Sequence, residues 1–167
     1  MTNPIQILKH VITSYANPIP VYLGSWEEIA YNMQMKGVSN SQIYPAIVIP
    51  LGYKYSFGES LIYECIIKDL PVYFLTSTKS DENLDNRYNA TYNGVLYPLV
   101  DKFESIILKS NKFDLHVKGM NQEIKRVVTE FPFDSKMKTD QNKLKDIVDC
   151  LEVKYENIAL KKIKFNL

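Results

Sequence analysis

The sequence predicts an α+β domain built on a single, mostly antiparallel β-sheet, packed by an N-terminal helix and a long kinked central helix. Three observations carry that prediction. The stretch 45–76 holds apolar runs rich in β-branched and aromatic side chains, the composition of strands in the middle of a sheet. Between Leu84 and Ile106, apolar residues recur at intervals of 4, 4, 3, 4, 4 and 3, which is helical spacing. With 167 residues, 46% of them hydrophobic, the chain can bury a core without disulfide or metal staples. It therefore reads as one domain over 1–167, with a basic C-terminal extension at about 160–167.

The first element is a helix from Asn3 to Tyr15. Thr2 or Asn3 can cap it, Pro4 suits its first position, and Ile5, Leu8, Ile12 and Tyr15 share a face with Val11 alongside. His10 falls off that stripe, toward solvent. After Asn17-Pro18 the segment Ile19–Leu23 is extended, and Pro20 keeps it to an edge. Ser25-Trp26-Glu27-Glu28 then has the capping-box pattern, in which Ser25 accepts from the Glu28 amide while the Glu28 carboxylate reaches back. Trp26, Ile29, Ala30 and Met33 make one apolar face, and Gly37 stops the helix. Trp26 reads as a core anchor or as an interface residue.

Ile47-Val48-Ile49 has no polar alternate, so both faces of that strand are expected to be covered. Gly52 to Gly58 reads as a loop carrying Tyr53, Tyr55 and Phe57, rings that either pack locally or meet a protein partner. With Lys54 nearby, stacking on single-stranded bases is a third reading. Leu61, Tyr63, Cys65 and Ile67 alternate with Ile62, Glu64, Ile66 and Lys68 as a strand does, and Asp69-Leu70-Pro71 either turns the chain or bends one long strand.

Ser80 is the expected cap of the central helix, with acids in its first turn. Gly94 and Pro98 predict a kink or break between residues 93 and 98. Phe113–Lys118 and Glu123–Phe131 read as two strands joined in a hairpin across Gly119–Gln122. Residues 132–143 form a polar connection bearing Lys136 and Lys138, long for a compact domain and hence a candidate contact loop. The segment 144–158 fits a helix or a strand. Val153 and Tyr155 favour the strand, whose apolar face only Asp149 interrupts.

Composition excludes more than it assigns. Twenty basic residues face 19 acidic ones, so no global field attracts nucleic acid or a membrane. Only Arg87 and Arg126 supply the guanidinium fork that phosphate and guanine recognition favours. Cys65 and Cys150 lie inside apolar patterns and read as buried free thiols of a reducing compartment. No run reaches the ~18 apolar residues of a membrane span, and Lys9-His10 interrupts any signal-peptide core. Asp81, Glu82 and Asp85 are first-turn acids rather than a metal cluster, and His116 has no partner at ligand spacing. No nucleophile elbow, zinc-protease motif or glycine-rich nucleotide fingerprint is present. The expectation is a non-enzyme without catalytic residues, metal or cofactor.

The order of elements resembles a known family. An N-terminal helix, a Pro-Val-Tyr strand at Pro20-Val21-Tyr22, a central strand at Tyr44-Pro45-Ala46-Ile47-Val48-Ile49, a following hairpin or long strand, a long helix across the sheet and a terminal strand near Asp146-Ile147-Val148-Asp149 are similar to tail terminator and head–tail joining proteins of tailed bacteriophages. The bias toward Asn, Ile, Lys and Tyr looks like that of neck ring proteins of crAss-like phages. The Trp26 helix and the 132–143 loop exceed what the family pattern needs. The resemblance implies a virion protein made in the bacterial cytoplasm. It would form a six- or twelve-fold homo-oligomeric ring between portal or connector and tail, with DNA passing non-specifically through its lumen and no membrane contact. Expected contact segments are 52–59, 77–83 and 132–143, with Trp26, Tyr53, Tyr55, Phe57, Lys136 and Lys138 as contact residues. A small protein-binding module, and after it a small hydrolase, are the competing expectations.

Overall fold

The computed structural model describes residues 3–15, 19–38, 43–58, 61–78, 83–115, 124–130 and 148–162. One seven-stranded sheet runs through them, and its axis is a pair of long antiparallel strands, β4 (Tyr63–Ser77) and β7 (Val148–Lys161). β7 settles residues 148–158 of the ambiguous segment as a strand, residues 144–147 lying outside the described part, and it continues to Lys161, two residues into the expected basic extension. Along the free flank of β4 lie β2 (Ala46–Pro50), opposite Tyr73–Leu75, and β3 (Lys54–Phe57), opposite Cys65–Lys68. Along the free flank of β7 lie β5 (Phe113–Asp114), opposite Ala159–Leu160, and β6 (Ile124–Glu130), opposite Asp149–Tyr155. β1 (Val21–Gly24) adds outside β2 in parallel, joined to it by helix α2 (Trp26–Val38). All other pairings are antiparallel.

Two expectations change here. The Gly52–Gly58 segment is not a loop: its middle is strand β3, because Tyr55 and Phe57 alternate with Lys54 and Ser56 and can pair with β4. Among the described residues β5 and β6 do not pair with one another as the expected hairpin would; they lie end to end on the same flank of β7, which supplies the ladder partner to both. Residues 116–123 and 131–147 lie outside the described part, and with them His116, the 119–122 turn and the 132–143 connection.

Asp69 shows how one strand can bend without ending. It has φ 54°, a left-handed conformation that aspartate tolerates better than most residues. Before it, Cys65 and Ile67 face the main core; after it, Leu70, Val72 and Phe74 do, so the inward parity changes at this point. β7 changes parity in step, from Leu151, Val153 and Tyr155 to Ile158 and Leu160, and the register is kept across the irregularity. A second register shift, between Tyr63 and Cys65, sends Tyr63 to the opposite face from the one its spacing predicts. There its hydroxyl donates to Asp114 Oδ2 at 3.1 Å, while Lys161 Nζ lies 2.8 Å from Asp114 Oδ1. One carboxylate thus ties β4, β5 and β7 together.

Helices cover the two faces unequally. On the first face lie α1 (Pro4–Tyr15) and the long helical stretch made of α3 (Leu84–Arg87), a π-helical segment (Tyr88–Leu96) and α4 (Tyr97–Lys109). Ile5, Leu8 and Ile12 of α1, and Leu99, Val100, Phe103 and Ile107 of α4, are buried against the sheet. Phe103 meets Phe74 edge-on at 5.4 Å and Tyr155 at 5.6 Å. On the second face α2 covers only the end formed by β1, β2 and the adjoining parts of β4 and β7, with Ile29, Ala30 and Met33 packed on Tyr22, Val48, Tyr73, Leu75 and Cys150.

Local signals start α1 and α2 where the sequence predicts, while α2 runs one residue past Gly37 to Val38. The expected Ser80 cap of the central helix lies outside the described residues, as do Asp81 and Glu82; at the described start Asn83 Oδ1 accepts the Asn86 amide at 2.9 Å. Asn3 Oδ1 accepts the Ile5 amide at 3.0 Å and caps α1, and His10 is exposed. The Ser25 capping box forms in full, with Glu28 N–H donating to Ser25 Oγ at 3.2 Å and Ser25 N–H donating to Glu28 Oε2 at 2.7 Å. The central helix differs from expectation in kind. Instead of breaking near Gly94 and Pro98, it widens into the π-helical segment and returns to α-geometry at Tyr97, with Pro98 in the first turn where its missing amide costs little.

That widened segment explains the one acid on the apolar face of β7. Asp149 is buried beneath it, pairs with Arg87 and accepts a hydrogen bond from Thr91 Oγ1 at 2.7 Å. A buried carboxylate is tolerable when every oxygen has a partner, and α3 with the π-helical segment supplies both.

Candidate protein-contact site

All four residues of β3 face solvent, beside a β4 whose Cys65 and Ile67 are buried. Its cross-strand partners fix the geometry. Tyr55 lies opposite Ile67 and Phe57 opposite Cys65, so both rings stand on the helix-covered face of the sheet, beyond the helices, with their centroids 5.6 Å apart and edge to face. Lys54 and Ser56 point the other way. Among the described strands none pairs with the outer edge of β3.

Neighbouring residues enlarge the apolar surface around this edge. Leu51 precedes β3 and is exposed; Leu61 and Ile62 precede β4 and are 90% and 53% exposed. Large exposed apolar side chains thus occur on β3, at Tyr55 and Phe57, and just before β3 and its partner β4, at Leu51, Leu61 and Ile62. Leu51, Leu61 and Ile62 were not singled out by sequence reasoning. Leu61 and Ile62 look like strand interior there, and only the start of β4 at Tyr63 shows that they precede the ladder.

The other expected contact residues separate from this group. Tyr53 is half-buried against the main core; burial pushes its hydroxyl pKa up, against the pull of a hydrogen bond from Asn3. It anchors the start of β3 more than it offers a surface. Trp26 stands at the α2 end of the second face, half-buried and edge-on to Tyr73 at 5.4 Å, so it closes the α2 cluster. Lys136 and Lys138 lie outside the described residues.

Chemistry elsewhere is sparse. Among the described residues no group of three or more His, Cys, Asp or Glu side chains is placed to hold a metal ion. Cys65 and Cys150 are buried free thiols, and burial pushes both pKa values up, away from nucleophilic thiolate. A groove of about 430 Å³ between α2 and β1 is lined by Lys9, Tyr22, Asn32, Met35 and Lys36, with no carboxylate among its described lining residues. A second, of about 330 Å³ at the end of β7, brings Glu64 beside Lys112, Lys161 and Lys162. Glu104 forms a surface-linked network instead of a site: it accepts from the buried Tyr155 hydroxyl at 3.1 Å and pairs with Arg126 at 3.3 Å. No described helix is long and apolar enough to cross a membrane.

Comparison of the chain with protein-family models, curated proteins and solved structures gives no match.

Proposed function

We propose that this chain is a structural subunit that works by self-association, and that the assembly is a ring at the head–tail junction of a tailed phage, between portal or connector and tail. The observation that carries the first half is the β3 edge, which no described strand pairs, with Tyr55 and Phe57 exposed on β3 and Leu51, Leu61 and Ile62 exposed just before β3 and β4. A monomer in water gains nothing from such a strip, whereas a neighbour covering it buries apolar area worth about 25 cal/mol per Å² and satisfies the ladder. A rigid two-strand axis clamped by α1 and α4 suits a subunit that transmits load without changing shape. The location in the neck rests on the order of elements and on their resemblance to head–tail joining proteins. Near-neutral charge suits a lumen through which DNA slides.

The test is particle composition. Mass spectrometry of purified virions of the source phage is expected to find this chain in a fixed ratio to the portal, one-to-one or one-to-two. Its absence from intact particles overturns the neck assignment. A chain that is absent from particles and captures a host protein through the Tyr55–Phe57 edge belongs to the binding-module reading instead.

A further inference from the structure

We infer that residues 163–167 of one copy add as a strand to the outer edge of β3 in the next copy, so that the subunits join head to tail through a shared sheet. This rests on the self-association reading above and names its contact. The sequence Ile163-Lys164-Phe165-Asn166-Leu167 alternates apolar and polar residues, which is the pattern of a strand with one apolar face. β3 presents the matching surface, with Tyr55 and Phe57 on one face and Lys54 and Ser56 on the other.

Charge selects a register. In an antiparallel pairing with Ile163 opposite Phe57, Phe165 falls opposite Tyr55, Lys164 opposite Ser56 and Asn166 opposite Lys54. All apolar residues then share the ring-bearing face, and no two lysines stand opposite each other. This is strand addition to an exposed edge, in which main-chain hydrogen bonds give affinity and alternate side chains give specificity.

Geometry assigns the donor to a second copy. Leu160 pairs with Cys65, and Cys65 pairs with Phe57, so β7 and β3 stand level on opposite flanks of β4. β7 is held on both flanks near its end: Lys161 N–H donates to Lys112 O at 2.8 Å and Lys162 N–H to Ile62 O at 2.9 Å. A strand outside β3 lies three strand spacings from β7, about 14 Å. From Lys161 to Ile163 the chain spans at most about 7 Å. The chain's own residue 163 cannot reach the position opposite Phe57, and a neighbour's can. The contact joins two different surfaces, so it is heterologous and closes into a ring when the rotation permits.

Disulfide trapping in the full chain tests this. Ser56→Cys and Lys164→Cys, both at solvent-facing positions of the proposed pair, are combined in one chain and oxidised, with each single variant as control and circular dichroism verifying the fold. The expected result is a ladder of covalent dimers, trimers and larger species on a non-reducing gel for the double variant, and no ladder for either single variant. Phe165→Ser in the otherwise natural chain should lower the self-association constant at least tenfold in sedimentation while leaving the urea midpoint unchanged. Absence of linkage, or linkage within one chain only, overturns the inference. If linkage is absent while virions still hold the chain in fixed ratio to the portal, the ring stands and this contact alone falls. If linkage forms but virions lack the chain, the contact stands and the neck assignment falls.

Discussion

β2 and β3 flank the same strand and are separated by three residues, yet every residue of β2 is buried and every residue of β3 is exposed. β4 registers the difference along its own length. Opposite β3 its residues alternate between buried and half-exposed; opposite β2, Val72 to Thr76 are buried without interruption. Residue type does not account for this, since β3 contributes two aromatic rings. Cover does: β2 has β1 outside it, α2 on one face and the main core on the other, whereas β3 has no described strand outside it. The covered half stabilises the fold, and the uncovered half is free to be used.

Substitutions on the two sides should separate stability from assembly. Ile47→Ala in β2 is expected to lose about 2–5 kcal/mol in urea unfolding, because the cavity forms where neighbours on both faces are fixed. A loss below about 1 kcal/mol would mean that this half is looser than its burial implies. Asp149→Ala, also in the covered half, removes the carboxylate that Arg87 and Thr91 share and should lose about 1.5–3 kcal/mol, with Asp149→Asn losing less because the Thr91 bond survives. Equal losses for the two would show that the charge, and not the hydrogen bond, matters.

Alkaline pH sharpens the same contrast. Burial pushes the hydroxyl pKa values of Tyr22 and Tyr92 up to about 12, from a usual value near 10. An acid whose folded pKa is raised adds stability that is complete below the unfolded pKa and is lost as pH rises, here from about pH 10 to 12. Tyr22→Phe should flatten that decline without lowering stability at neutral pH, since the Tyr22 hydroxyl has no hydrogen-bond partner among the described residues. A steeper decline in the variant would contradict the assignment. The smallest effect belongs to the open half: Tyr55→Ala is expected to change folding stability by no more than about 0.5 kcal/mol while weakening self-association.

Much of the covered half was legible in the sequence. The unbroken Ile47-Val48-Ile49 run announced a strand buried on both faces, and Ser25 with Glu28 announced the start of α2 to the residue. The open half was harder because flanking Gly52 and Gly58 masked the alternation of Lys54 to Phe57. β5 and β6 misled for a different reason: alternation identifies a strand but not its partner, and the partner here, β7, lies farther along the chain. The π-helical segment was invisible because intervals of three and four tolerate an extra residue without losing their face. For the site, the rings at 55 and 57 were identified from sequence, while Leu51, Leu61 and Ile62 needed the strand ends.

The widened turn of the central helix constrains how this gene can change length. Asn89, Ala90, Asn93 and Gly94 are all exposed there, and surface residues of that kind ordinarily tolerate insertion or deletion. Here the segment sets the angular phase between Arg87 and Thr91 on one side and the buried face of α4 on the other. Removing a single codon would rotate the two parts against each other by about 100°, one residue's share of a helical turn. Either the guanidinium and hydroxyl leave Asp149, or Leu99 and Phe103 leave the sheet, so a stretch free to vary in residue type is held to a fixed number of residues.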